Sequence, residues 1–211
     1  MTERLSQYIV LFLLFLSFAP SASAQFGIGM TFSNDLYNRY DNPTDGIAHN
    51  ANGSIILNLG LGPKIWVGGE SFSLSLESQA VIGFFGLSIP DTKGLGNVAF
   101  PMMAKLNFAG VSGLNKEGLF GLNIGGGLQY NKTELYYLGS DYKDRGVDRA
   151  FFKTYVVQLG YGFGMTGFAA TFYVRYGFNP DLDGANSLNI GLQYDFNFTK
   201  LKKIDDPNSR L

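Results

Sequence analysis

From residue 26 onward, apolar side chains recur at every second position in eight separate stretches of the chain. A period of two is the spacing at which side chains on a β-strand share a face. In the first stretch Phe26, Ile28, Met30 and Phe32 alternate with Gly27, Gly29, Thr31 and Ser33. The second carries Ile55, Leu57, Leu59 and Leu61, and the third Phe72, Leu74, Leu76, Ala80, Ile82 and Phe84. Val98 to Phe108, Phe120 to Tyr130, Tyr155 to Phe163, Phe168 to Tyr176 and Leu188 to Phe198 repeat the pattern. Most stretches run close to the roughly 9–11 residues that a tilted membrane strand requires. The pattern predicts an all-β protein, an eight-stranded antiparallel transmembrane β-barrel of up-and-down topology.

The connections alternate too. Those after the first, third, fifth and seventh stretches are polar and mostly long: about 34–53, 86–97, 131–150 and 179–187. Those after the second, fourth and sixth are mostly shorter and end with the tight Met165-Thr166-Gly167. Long loops at one end and shorter turns at the other is the outer-membrane arrangement. The exception is a looser turn predicted over 62–71, whose Trp66, the only tryptophan, is expected at a membrane interface.

Alternation does not say which face is outside, and a soluble lipocalin-like barrel alternates as well. Here the polar face is mainly Gly, Ser, Asn, Gln and Thr rather than the Lys and Glu of soluble exteriors. Small polar groups suit the narrow lumen of an eight-stranded barrel. On the apolar face the aromatics gather at strand ends. The turn end has Phe26, Phe72, Phe108, Phe120, Phe163, Phe168 and Phe198; the loop end has Phe32, Phe84, Tyr130, Tyr155 and Tyr176. Two girdles around an aliphatic belt fit a bilayer with two interfaces.

Residues 1–24 contain an eleven-residue apolar run, Tyr8 to Phe18, then Pro20 and Ser21-Ala22-Ser23-Ala24. That layout predicts a cleaved secretory signal, exported by a Sec-type route; the run is too short for a spanning helix, which needs roughly 20 residues. Removing 24 of the 211 residues leaves 187, enough for one domain. The predicted organisation is a signal over 1–24, a barrel over 25–198 and a short polar tail over 199–211. Glycine reaches 28 residues and aromatics 15%, as expected for a turn-rich β-protein. The chain's net charge of −1 offers no basic face for nucleic acid.

Glu77, Lys105, Arg175 and Asp195 fall on lumen-facing positions. Charges in a narrow lumen must pair, because an isolated buried ion is costly. Glu77 and Lys105 are expected to be cross-strand partners, with position 77 opposite about position 106. Two readings of the four charges stand open: a polar plug that holds the barrel together, or the lining of a pore.

The segment FPMMAKLNFAG at 100–110 and the glycine-rich GLFGLNIGGGLQY at 118–130 resemble strands of the PorT-like outer-membrane β-barrel family of Bacteroidota. In strand number and loop asymmetry the chain also resembles small barrels of the OmpA and OmpX type. The resemblance implies a fold and an outer-membrane location, and leaves secretion-associated and other roles open.

Enzymatic chemistry finds little footing. A nucleophile with a histidine base needs both groups close together, and the only histidine, His49, lies in the first predicted loop. Asp41, Asp45, Asp141, Asp144 and Asp148 match no EF-hand spacing. No catalytic group, cofactor or metal is therefore expected. The expected partners are outer-membrane lipid and the barrel-assembly machinery, which reads aromatic-terminated last strands such as Phe196-Asn197-Phe198. A protein partner in the envelope or outside the cell is expected through the loops, where Tyr136, Tyr137, Tyr142 and Arg145 are candidate contacts.

Overall fold

The structure, a computed structural model, describes residues 25–41, 50–52, 58–89, 94–112, 119–137, 150–165 and 167–198. The predicted signal and tail, His49, Asp45, Asp141, Asp144, Asp148, Tyr142 and Arg145 lie outside the described residues. Ten strand segments are present among them: β1 (Gln25–Asp41), β2 (Asn50–Asn52), β3 (Asn58–Gly68), β4 (Phe72–Ser78), β5 (Ala80–Ile89), β6 (Gly94–Ala109), β7 (Leu119–Tyr137), β8 (Phe152–Met165), β9 (Phe168–Phe178) and β10 (Asn186–Asn197). β2 and β3 both pair with β1 and β5 and form one stave. β4 and β5 both pair with β3 and β6 and form another. Eight staves result, each hydrogen-bonded to its neighbours in sequence, and β1 closes on β10 from Gly29↔Asn197 to Asp41↔Asn186. This is a closed antiparallel up-and-down barrel. Closure removes the unpaired sheet edges that cost several kcal/mol per backbone group in lipid.

The faces are inverted relative to a soluble protein. Ile28, Leu61, Leu76, Phe120, Ile124 and Leu159 point outward and are half-exposed or more, while Thr31, Ser33, Ser75, Gln129, Thr154 and Gln193 point inward and are buried. Apolar outside and polar within is the architecture of a transmembrane β-barrel.

Several boundaries differ from the sequence expectation. β1 does not stop at Ser33 but continues to Asp41. Between Asp35↔Gly191 and Tyr37↔Ile190 it carries a β-bulge at Leu36. A bulge adds one residue to one strand, so the period of two breaks there and the segment looks like a loop in sequence. Phe32, expected at the loop-end girdle, consequently sits mid-strand opposite Tyr194, with their rings 6.0 Å apart.

The second stave is also longer. The predicted turn over 62–71 is mostly strand, and only Gly69 to Ser71 connect β3 to β4. Gly62 and Pro63 read as turn residues, yet Pro63 packs outward opposite Met30. Trp66 is not at an interface: it is 2% exposed and points into the lumen.

The β5–β6 hairpin is uneven as well. Between Gly83↔Asn97 and Leu87↔Leu95, three residues of β5 oppose the single Gly96, whose φ of 84° suits glycine. Counting back from the centre of that loop therefore misplaces the register, and position 77 pairs three residues away from the expected 106. Glu77 lies opposite Met103, and Lys105 opposite Ser75.

Candidate functional site

The lumen is filled by side chains in layers. At the turn end, Trp66 and Val111 are buried, and a 3-10 turn over Gly110–Ser112 contacts β4, β6, β7, β8 and β9. Ser112 anchors it by donating to the Glu70 carbonyl at 2.6 Å. Towards the loop end, Tyr40, Val81, Ala99, Phe152 and Ala185 form an apolar cluster with Leu182 against it. Between the two lies the polar centre.

That centre holds six buried charges, Asp35, Lys64, Glu77, Lys105, Arg175 and Asp195. Three are cations and three anions, so the set is neutral. Lys64 Nζ donates to Asp195 Oδ2 at 2.6 Å. Lys105 is ion-paired with Glu77 and donates to Gln193 Oε1 at 2.7 Å. Because Lys105 faces Ser75, its contact with Glu77 is diagonal across the strand pair. Diagonal neighbours lie about 7–8 Å apart, within reach of a lysine and a glutamate. Gln193 Nε2 bridges the two acids, donating to Glu77 Oε2 at 3.0 Å and to Asp195 Oδ1 at 2.9 Å. The lower half of the network thus joins β3, β4, β6 and β10 across the lumen.

Arg175 governs the upper half. Its Nε donates to Gln158 Oε1 at 2.9 Å and one terminal nitrogen to Gln129 Oε1 at 3.2 Å. The guanidinium also sits 5.0 Å from the Tyr173 ring centroid. Beyond it, Asp35 accepts from the Tyr173 hydroxyl and, at 2.7 Å, from Asn189 Nδ2. Asn189 Nδ2 also donates to the Tyr40 hydroxyl at 2.7 Å. Charge-assisted hydrogen bonds of this kind are the strong ones.

Glycine makes room for the long side chains. A Cβ on Gly125 would stand 2.5 Å from Lys105 Cγ, so the lysine stem occupies the space that any other residue on β7 would fill. Within the glycine-rich run of β7, Gly125 is the position that gives way to Lys105.

Of the four sequence-selected charges, Glu77 and Lys105 meet each other, Asp195 meets Lys64, and Arg175 is held by glutamines. Lys64 and Asp35 were not among them. Both sit on strand extensions hidden by the Gly62-Pro63 pair and by the Leu36 bulge. Their signal lies in the faces once strand length is known: Lys64 shares a face with Trp66, and Asp35 with Ser33.

No protein-family model matches the chain, and no curated protein matches it. Among solved structures it is similar to Neisserial surface protein A (NspA), with 10% identity, a TM-score of 0.48 and coverage of 83% of this chain and 99% of that one. It is also similar to the outer membrane protein OprG from Pseudomonas aeruginosa, with 16% identity, a TM-score of 0.39 and coverage of 84% and 98%. The barrel described above rests on its own closed hydrogen bonding and not on these likenesses.

The girdle residues lie on the outward face. At the turn end the Phe72 and Phe108 rings are 5.3 Å apart, Phe120 lies 6.4 Å from Phe163, and Phe168 lies 5.4 Å from Phe196. Phe26 and Phe198 are exposed at the same end. Phe84, Tyr130, Tyr155 and Tyr176 are exposed in the loop-end half.

Proposed function

We propose that the mature chain is an outer-membrane barrel of structural or surface-interaction role, non-enzymatic, with its lumen closed by the charge network. One observation carries the membrane reading. The outward face is apolar around the barrel, with Leu, Ile, Val and Phe side chains about 40–60% exposed on the strands. Soluble monomers rarely expose contiguous apolar patches beyond a few hundred Å², so this surface needs lipid. The plug reading is supported by six mutually neutralising charges and by apolar layers at both ends of them. On this reading the segment over 1–24 serves as an export signal, 25–198 as the barrel and 199–211 as a polar tail. The girdles contact lipid at the two interfaces, the last strand engages the assembly machinery, and the loops present a protein-contact surface.

A narrow channel is the second reading, and one observation favours it. Both side-chain amide atoms of Asn97 and Asn197 are buried without a partner among the described residues. Buried polar atoms ordinarily find protein or water partners, so these positions call for lumenal water. Planar-bilayer conductance of the refolded protein separates the two. The plug predicts no steady current above the bare bilayer; stable single-channel steps establish the channel.

A further inference from the structure

Charge on the outward face is sparse. Among the described strand residues whose side chains lie on that face, Arg39 is paired with Asp41 at 3.6 Å. Among the described side chains, neither Lys132 on β7 nor Lys153 on β8 has a carboxylate within ion-pairing distance. Asp181 acts on Lys153 only at longer range. The two lysines are neighbours. Tyr130 lies opposite Lys153 and Asn131 opposite Phe152, so Lys132 stands one pleat from Lys153, across from Phe151. Such diagonal positions are about 7–8 Å apart.

Each ammonium is set over an aromatic ring of the loop end. Lys132 Nζ is 5.7 Å from the Phe151 centroid, and Lys153 Nζ is 4.8 Å from that of Tyr155, to whose hydroxyl it donates at 3.2 Å. Phe151 packs on Phe100 at 6.0 Å and Tyr155 on Phe178 at 6.5 Å. Two like charges thus stand at diagonal positions of neighbouring strands, each against its own aromatic ring. In the lumen every described cation is bonded to acids or amides, whereas here no described carboxylate pairs with either ammonium. The surface faces sideways from the barrel wall rather than up towards the loops, at the height where an aromatic belt marks the headgroup layer.

We propose that Lys132 and Lys153 form a binding site for the phosphate of a membrane-lipid headgroup at the loop-end interface, with Phe151, Tyr155 and Phe178 packing against the rest of that lipid. The proposal rests on the membrane reading above and on the loops facing outward. Anionic lipid is attracted to surface lysines by an amount that makes the loss of both charges worth about a thirtyfold fall in affinity.

The test uses the full mature chain, refolded and verified by heat-modifiable gel mobility. Retention of bisphosphorylated lipid A, of its fully dephosphorylated form and of inorganic phosphate is measured by native mass spectrometry. The wild type should retain the bisphosphorylated lipid and discriminate against the other two. The Lys132→Gln/Lys153→Gln double variant should bind it about thirtyfold more weakly, and Lys132→Arg/Lys153→Arg should bind within a few-fold of wild type. Equal retention of the dephosphorylated lipid would reduce the site to acyl-chain contact and overturn the proposal. So would unchanged binding in the glutamine variant, or inorganic phosphate binding as tightly as the lipid. A chain that never shows a heat-modifiable form removes the membrane reading, and the site with it. A folded protein whose retention ignores both lysines removes the site alone.

Discussion

At the residue scale, the informative feature is a lumen in which each charge depends on its neighbours. Glu77 and Lys105 are both nearly inaccessible to solvent and ion-paired. A surface bridge contributes about 0–1 kcal/mol, whereas removing one partner of a buried pair costs about 3–5 kcal/mol because the other charge is stranded. Glu77→Gln and Lys105→Met should each lower unfolding free energy by an amount in that range, and the double variant should recover much of it. A urea double-mutant cycle checks this, and strictly additive losses would show that the two side chains act independently. Gln193 moderates the outcome, since it bonds Lys105, Glu77 and Asp195 together. The Lys64–Asp195 pair should consequently couple weakly to the first pair through that amide.

At the element scale, irregularities of strand geometry decide which side chains reach the lumen. The Leu36 bulge leaves Leu36 and Tyr37 both off the lumen, while Asp35, Asn38 and Tyr40 point inward. Deleting Leu36 restores simple alternation with every inward residue kept inward. That variant should fold to a heat-modifiable barrel with a melting temperature close to wild type. Deleting Asn34 instead moves Asp35 to the lipid side and Leu36 into its place, tearing Asp35 from Tyr173 and Asn189; the folded band should be lost or strongly reduced. Equal behaviour of the two deletions on semi-native gels would contradict the face assignment. A second irregularity is Ala109, the only non-glycine residue with positive φ, 52°, among the described residues. It ends β6 just before the 3-10 turn and donates its N–H to the Ser71 carbonyl at 2.8 Å. A left-handed L-residue costs roughly 1–2 kcal/mol, part of which glycine returns through its flexible unfolded chain. Ala109→Gly should therefore raise unfolding free energy by up to about 1 kcal/mol, measurable in the same urea titration.

At the scale of the whole molecule, the inverted distribution of polarity sets where the chain is stable. In cells that export it, the mature protein should fractionate with outer membranes, resist extraction by high salt and carbonate, and migrate faster unheated than boiled. Recovery as a soluble periplasmic monomer without heat-modifiable mobility would favour the lipocalin-like arrangement instead. Packing argues against that outcome. A lipocalin keeps its apolar face inside, whereas here the inside holds Arg175, Lys105, Gln129, Gln158 and Gln193 fully buried. Their bonds run between staves far apart in sequence, such as Lys105 to Gln193 and Arg175 to Gln129. The network thus forms only after closure, which makes the barrel cooperative.

The alternation of Phe26 to Phe32, or of Tyr155 to Phe163, was enough to specify strands, their two faces and the inverted polarity, because side chains on a strand must alternate whatever surrounds them. Eight such runs with loops longer at one end specified the barrel. Glu77, Lys105, Arg175 and Asp195 were legible as lumenal for the same reason. Local pattern did not reveal the strand extensions beyond Ser33 and Leu61, where a bulge and a Gly62-Pro63 pair interrupt the period while pairing with neighbouring strands continues. Only the tertiary structure brought Lys64 and Asp35 into the network and moved Trp66 from an interface to the lumen. It also set Glu77 diagonal to Lys105 rather than opposite, since register is fixed by cross-strand hydrogen bonds and by the uneven β5–β6 hairpin. Strand identity is a property of short sequence, but register and partner choice belong to the closed sheet, where each stave is constrained from both sides.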